Sequence, residues 1–442
     1  MQQSDILGEI KTALTGQYRI QTVEGEIIKE LRRRVAYDVL GEEIDGSASS
    51  WVSLPDFKRE IADSELSRLV LERKDELDNE QSTNVVSDTG LKKNLILDSG
   101  LNYLCSTTTD LSFDSSSVAL GLGTTATYTD SASVTATTSG TSVIASGSIF
   151  TVDMVGALIK WDSGEEAYIS AFTSDTQVTI GTSVTANTTF TVWYVNQTAL
   201  SSPSVTSSTR IENTTSRSGV TVVRTCGYDF AVEVSNKVYT EGGFIIQGST
   251  LFSRFLIDGG SVTVLIGQQA RMYYILSINA SNTVAASTSW TLDSYDSGSP
   301  GGWDTPAGQH HIVSLRGIDG LAQYHGASLL PSIDSGSDRL YISTTSSLLG
   351  FNANTSVDVS GAIGTYASGS LASYTSGNFY RDSSYYFSAA HSNTSSIRSV
   401  FLCSYYGKVS WQFLFDSAKT KDDVHSLTLK LRRSLSRTLT NP

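Results

Sequence analysis

From residue 94 onward apolar and polar positions alternate along much of the chain. In SVTVLIGQQARMYYILSIN, Val262, Val264 and Ile266 fall on one face of a strand. After a turn at Gly267, Met272, Tyr274, Leu276 and Ile278 share one face of the next. YDFAVEVSNKVYT repeats the pattern with Phe230, Val232 and Val234 before a turn at Ser235-Asn236. Near the end, HSLTLKLRR sets Leu427, Leu429 and Leu431 against Thr428, Lys430 and Arg432. One buried and one wet face per strand is the pattern of antiparallel sheets. Strands do not alternate with helical stretches here, which excludes a parallel βαβ architecture.

The first 93 residues read differently. About a third of them are charged, against roughly an eighth of the remainder. Ile6, Ile10 and Leu14 recur at the i, i+4 spacing of an amphipathic helix, as do Ile27, Leu31 and Val35. LPDFKREIADSELSRLVLERKDEL opens with Pro55 in a first turn and repeats Phe57, Ile61 and Leu69, predicting a longer helix. The triplet Arg32, Arg33, Arg34 is flanked by acids and reads as a solvated helix face. Residues 1–90 are therefore expected to form a helical attachment segment, separate from the β-region.

ALIKWDSGEEAYISAFTSDTQVTIG, residues 157–181, places Asp162, Glu165 and Glu166 around Gly164. Strand-like runs flank these carboxylates. Gly supplies the positive φ of a tight turn, while Asp and Ser hold such turns through bonds to the backbone. A glycosidase pair would instead face each other across a cleft. The carboxylates are read as a hairpin tip. The meander over about 146–195 lies between the low-complexity stretches TATYTDSASVTATTSGTS and NQTALSSPSVTSSTR. Such flanks predict a small β-domain inserted into a loop of a larger one.

The expected fold class is mainly β: antiparallel β-sandwich domains, a helical N-terminal segment and a small inserted β-meander domain. Residues 91–145 and 196–280 would form the sandwich. Residues 281–442 would form a C-terminal β-domain whose last strands complete it.

Composition narrows the function. Ser and Thr make up roughly a quarter of the chain, a polar but weakly charged surface that pleated strands carry well. The 20 Tyr, 15 Phe and 6 Trp argue against disorder. A net charge of −13 argues against nonspecific nucleic-acid binding and against an anionic membrane surface. No run approaches the ~18 apolar residues that span a bilayer, so membrane insertion is not expected. MQQSDILGEIK has no apolar core or cleavage site, so no secretion signal is expected. Cys105, Cys226 and Cys403 lie far apart, which fits neither a disulfide framework nor a zinc site.

Candidate chemistry is thin. Gly121-Leu122-Gly123 has no following Lys and no helix to aim at a phosphate, and reads as a strand-end turn. The histidines, His310, His311, His325, His391 and His425, show no HExxH spacing, and no GxSxG elbow occurs. Asp293, Asp296 and Asp304 lack the ordered ligand spacing of a calcium loop. No catalytic residue, metal or cofactor is expected, and the chain is not read as an enzyme. SYTSGNFYRDSSYYF, residues 373–387, is the best candidate for ligand contact. Tyr374, Phe379, Tyr380, Arg381 and Tyr385 offer the rings and polar groups of a glycan-binding or interface surface. The competing reading divides Phe379, Tyr385 and Phe387 between core and subunit interface.

LKKNLILDSGLNYL, ALGLGTTATYTDSA and LFSRFLIDGGSVTVLIGQQARMYYILSI resemble successive blocks of a family of bacteriophage tail-fibre or minor virion proteins. SWQFLFDSAKTKDDVHSLTLKLRRSLSR is similar to the closing strands of that family, although this block closes on Ser-Leu-Ser-Arg where an aromatic is expected near the Arg. The resemblance covers about residues 91–280 and 400–440. It implies a β-sandwich virion subunit acting as an oligomer and transfers no active-site residue. The expectation is a structural component of a virion, a tail fibre or tail-associated appendage docked to other virion proteins through residues 1–90. Alternatives are a receptor-binding module for host surface glycan and a head or collar decoration protein. A homo-oligomer is expected because long sheet edges such as 262–278 and 409–415 carry neither Pro nor an obvious inward charge to protect them; that it is a trimer is what the resemblance implies.

Overall fold

The computed structural model describes residues 8–80, 84–106, 115–218, 221–280, 284–285, 310–313, 339–344, 346, 368–374, 379–388, 394–403, 409–421 and 427–439. The fold is mainly β with antiparallel sheets; most of its helices fall between residues 26 and 79, and a further helix spans Asp98–Ser106.

The first element is a strand rather than a helix. Gly8–Glu24 runs through the middle of the largest sheet, paired antiparallel with Gln269–Ala280 on one side. On its other side it meets Leu427–Arg437 in parallel, then Lys92–Ile96 and Asn84–Asp88 antiparallel. The expected helix fails over Ile10 and Leu14 because a spacing of four is also an even number, and so equally marks one face of a strand; Ile6 lies outside the described residues. The burial of Leu14, Gly16, Tyr18 and Ile20 follows that even period. Residues 1–90 are thus not a segment separate from the β-region.

In path order the sheet runs Pro203–Ser207, Ser117–Gly121, Glu241–Ile246, Thr250–Leu256, Lys92–Ile96, Gly8–Glu24, Gln269–Ala280, Thr221–Asp229, Arg210–Ser218. Its inner face carries the main core. Phe244 stacks on Tyr274 with ring centroids 4.1 Å apart, and Tyr18 stacks on Phe255 at 3.6 Å. Met272, Tyr274, Leu276 and Ile278 are all buried there, as their alternation predicts. A second sheet contributes Leu340, Ile342, Ile397, Val400 and Phe415 to the same core. The last strand, Leu427–Arg437, joins the large sheet between Gly8–Glu24 and Tyr380–Phe387.

Within the stretches expected as uncovered edges, Val262–Val264 is paired on one side only among the described residues, with Lys237–Tyr239, whereas the two longer strands are not edges. Gln269–Ala280 is flanked by Gly8–Glu24 and Thr221–Asp229, and Val409–Lys421 by His310–Val313 and Thr394–Cys403. The chain covers these strands itself.

The helices Glu26–Val35, Ala48–Val52, Asp56–Glu72 and Lys74–Asn79 pack around Trp51, Leu66 and Val70, and seat on Val232 and Ile266 of the β-body. In Asp56–Glu72 the buried residues are Ala62, Leu66, Leu69 and Val70, while Phe57 and Ile61 are exposed. The predicted face failed because twelve residues turn a helix by about 120° beyond whole turns, so Phe57 and Leu69 cannot share a face. Arg32, read as solvated, is fully buried, and its Nη1 donates to Glu24 Oε2 at 2.6 Å.

The inserted domain is larger than expected. Tyr128–Ser139 and Ser142–Ala145, both expected in the sandwich, join Leu158–Trp161, Glu166–Ser174, Gln177–Ile180 and Asn187–Trp193 in a closed six-stranded barrel. Low-complexity Ser/Thr sequence had hidden these strands, because their small outward residues supply little contrast. Phe150, Ile159, Trp161, Phe190 and Val192 are buried together in the core of the barrel domain.

Candidate functional site

The strands on either side of the barrel, Ser117–Gly121 and Pro203–Ser207, pair with each other, so the chain leaves and re-enters the body at one place. Residues 122–127 lead into the barrel and 194–202 lead out. Glu241 stands beside this doorway, opposite Gly121 on the adjoining strand. Its carboxylate accepts hydrogen bonds from the backbone N–H groups of Gly123 (3.2 Å), Ser201 (3.1 Å) and Ser202 (2.7 Å). Arg254 on the next strand donates to it from Nε and Nη2, at 3.0 and 2.7 Å. Both side chains are fully buried.

Arg254 reaches further. Nη1 donates to Gln197 Oε1 at 3.0 Å and Nη2 to the Thr125 carbonyl at 2.7 Å, one in each linker. One ion pair thereby grips both stalks of the barrel. Burial works to raise the Glu241 pKa, but the Ser202 N–H, the Arg254 guanidinium and the Ser201 N–H outweigh it and hold the group below its ordinary value. The Gly121-Leu122-Gly123 turn contributes one donor, the Gly123 N–H, to a shell around the protein's own carboxylate that Ser201, Ser202 and Arg254 complete.

A second fastening lies alongside. The Tyr168 hydroxyl, on the barrel, donates to Asp98 Oδ1 at 3.1 Å and accepts from Arg437 Nη2 at 2.9 Å. Arg437 also pairs with Asp98 and donates from Nη1 to the Ile96 carbonyl at 2.8 Å. Burial pushes the Tyr168 hydroxyl well above the usual phenol range. Leu97, Leu158, Trp193, Val195, Leu200 and Leu251 make an apolar seam between the two fastenings.

Between barrel and body a groove of about 340 Å³ remains open, lined among others by Lys93, Thr127, Tyr128, Trp193, Asp258 and Thr438. Tyr128 and Trp193 are cross-strand partners whose ring centroids lie 5.1 Å apart. Lys92 and Asp258 pair at 2.5 Å on its rim, and the Lys92 ammonium holds the Asp258 carboxyl below its ordinary value.

The carboxylates of the barrel tip do what turn residues do. Gly164 adopts φ +96° with nothing close to it. Glu165 accepts from Ser163 Oγ at 2.9 Å and from the Thr185 N–H at 3.0 Å, and Glu166 pairs with Lys160 at 3.3 Å. The Thr185 N–H and the Ser163 hydroxyl hold the Glu165 pKa below its ordinary value, the opposite of what a general acid needs.

The residues picked out by sequence are split up. Tyr374 ends the strand Ser368–Tyr374 and stands opposite Arg381 on Tyr380–Phe387. Tyr380 is half-buried, and Phe379 is half-buried beneath the Arg437 guanidinium, 5.3 Å from its ring centroid. Tyr385 and Phe387 are buried in the main core, so Tyr385 is removed from any exposed contact surface. Asp293, Asp296 and Asp304 lie outside the described residues. Among the described residues, no cluster of His, Cys, Asp and Glu is arranged to hold a metal ion, and no helix is long and apolar enough to cross a membrane.

Sequence reasoning missed Glu241 and Arg254. A signal was present: TEGGFII and LFSRFLI are consecutive apolar strands, each carrying a single charge, of opposite sign. No protein-family model matches the chain, and no curated protein or solved structure matches it.

Proposed function

We propose that the chain is a structural, non-enzymatic subunit of a bacteriophage virion, a tail fibre or tail-associated appendage that presents a barrel module on a β-body. The observation that carries this reading is the mounting of the barrel. Both stalks are held by one buried ion pair, backed by an apolar seam and by the Tyr168–Asp98–Arg437 contact. A module fixed in this way transmits load and keeps its orientation, which an assembly subunit needs. The tail-fibre resemblance of residues 91–280 and 400–440 supplies the virion context, and location in the particle follows from it.

Docking to other virion proteins falls to the helices of residues 26–79, where Tyr37, Phe57 and Ile61 are exposed. Self-association as a trimer rests on the resemblance, because Gln269–Ala280 and Val409–Lys421 are both flanked by strands of the same chain. Mass photometry of the full chain reads the copy number directly. Antibody raised against the barrel, applied to purified particles in negative stain, tests location. Labelling at the tail supports the reading; labelling at the head or collar favours a decoration protein; unlabelled particles overturn it.

A receptor-binding reading keeps one specific support. Ser368–Tyr374 pairs only with Tyr380–Phe387 among the described residues, so Tyr374, Tyr380 and Arg381 sit on an outer hairpin. Glycan binding lost with Tyr374→Ala and Tyr380→Ala would support it.

A further inference from the structure

We infer that the strand Leu427–Arg437 and the two residues after it form a releasable strap, which holds the barrel down on the body while the doorway serves as its hinge. The two fastenings of the barrel differ in kind. At the doorway, Glu241 and Arg254 bind the linkers through which the chain enters and leaves the barrel. The other fastening comes from a strand remote in sequence. Arg437, its side chain 5 % exposed, donates to the barrel's Tyr168 hydroxyl and to the body's Ile96 carbonyl, and pairs with Asp98. Leu439 is buried in the seam, in one apolar cluster with Leu158 and Trp193 of the barrel and Leu95 and Leu97 of the body. Between them, the Thr438 N–H donates to the Leu14 carbonyl of the opening strand at 2.8 Å. Three consecutive residues thus touch the barrel, the body and the opening strand.

The strap is fastened at a strained position. Phe379 has φ +49°, a left-handed conformation that a bulky side chain rarely adopts. Its carbonyl accepts from the Leu435 N–H at 2.8 Å, and its ring lies under the Arg437 guanidinium. Both contacts are with the strap. Strained residues of this kind collect at clamps and switches, where the surroundings hold them. Release of the strap lets Phe379 relax, which offsets part of the cost of opening.

The hinge survives that release, because the bonds of Glu241 and Arg254 go to the linkers and to each other, and none goes to residues 427–439. Room to move is present as well. The groove of about 340 Å³ between barrel and body has Thr438 in its wall, so withdrawal of the strap widens the space into which the barrel can tilt. The inference deepens the mounting proposed above, adding how its orientation is held and freed, and it rests on that mounting. It does not rest on a place in a particle, so particle labelling and the test below can fail separately.

Amide hydrogen exchange of the full-length chain, read residue by residue, tests the strap at three positions. The Asp98 N–H, bonded to the Val195 carbonyl at 2.9 Å, reports the seat of the barrel. The Ser202 N–H, bonded to Glu241, reports the hinge, and the Ile169 N–H, bonded to the Ala157 carbonyl, reports the barrel fold. Arg437→Ala should speed exchange at Asp98 about tenfold or more, with Ser202 and Ile169 within about twofold of the native rates. Tyr168→Phe keeps the ring and leaves the strap's own sequence intact; it should act in the same direction, by about threefold. This second variant keeps the test decisive should Arg437→Ala disturb the strand. Native exchange at Asp98 in both variants overturns the strap. So does a rise at Ile169 or Ser202 in step with Asp98 in Tyr168→Phe, since the barrel or the hinge would then be failing instead.

Discussion

Arg254 and Glu241 lie on adjacent antiparallel strands, offset by two residues, with Arg254 opposite Gly243 and Nη2 2.7 Å from Glu241 Oε2. The offset puts both on one face of the sheet, at the barrel's doorway. Charges buried this completely are tolerated only as a pair, and removing one strands the other. Arg254→Ala or Glu241→Ala should therefore cost about 3–5 kcal/mol. Denaturant unfolding measures the loss. Limited proteolysis should reveal new cleavage in residues 122–127 and 194–202 before cuts elsewhere.

Acid should loosen the same doorway. Glu241 has a folded pKa below its ordinary 4.5, so its contribution is full above that value and is lost as pH falls through the lower folded pKa. Protonation removes the acceptor that three backbone N–H groups and Arg254 share. Cleavage of the stalks, followed by mass spectrometry from pH 6 downward, should rise only as the pH falls below 4.5. Glu241→Gln should flatten that rise.

At the hairpin tip little should happen. Glu165 and Glu166 bond to groups that water can replace, and Glu165→Gln with Glu166→Gln should shift stability by no more than about 0.5 kcal/mol. Thermal melting of the double variant checks this. Gly164→Ala differs, because its φ of +96° strains any residue with a Cβ; a loss of about 1–2 kcal/mol is expected there although the space is open.

The helix Asp56–Glu72 offers a contrast between neighbouring residues. Leu66→Ala should cost about 2–5 kcal/mol, since Leu66 is fully buried. Ile61→Ser should stay within about 0.5 kcal/mol, since Ile61 is 58 % exposed. Comparable losses in the two variants, read from denaturant midpoints, would reverse the assignment of the buried face.

Where one face of a strand meets the core and the other meets water, its sequence announces it, as Met272, Tyr274, Leu276 and Ile278 do. The hairpin around Gly164 was equally legible, because turn chemistry is local. Gly8–Glu24 was not, because Ile10 and Leu14 satisfy both periods and only the partners of the strand decide between them. Glu241 and Arg254 lay deeper still. The donors that complete the carboxylate's shell come from Gly123, Ser201 and Ser202, and no local pattern ties residue 123 to residue 241. The aromatic stretch 373–387 misled for a related reason: Tyr385 looks like a surface ring until the strand that carries it is laid against a core.

The parallel pairing of the opening strand with Leu427–Arg437 has a consequence in time. Thr15 and Thr438 share a hydrogen bond at 3.1 Å across 423 residues of sequence. During synthesis residues 8–14 emerge 423 residues ahead of the parallel neighbours they pair with. Contacts this distant along the chain form slowly, since loop closure precedes any gain from them. Nascent chains released early would present an open backbone edge to one another, so a premature stop anywhere before residue 427 should yield aggregate rather than a shorter soluble protein.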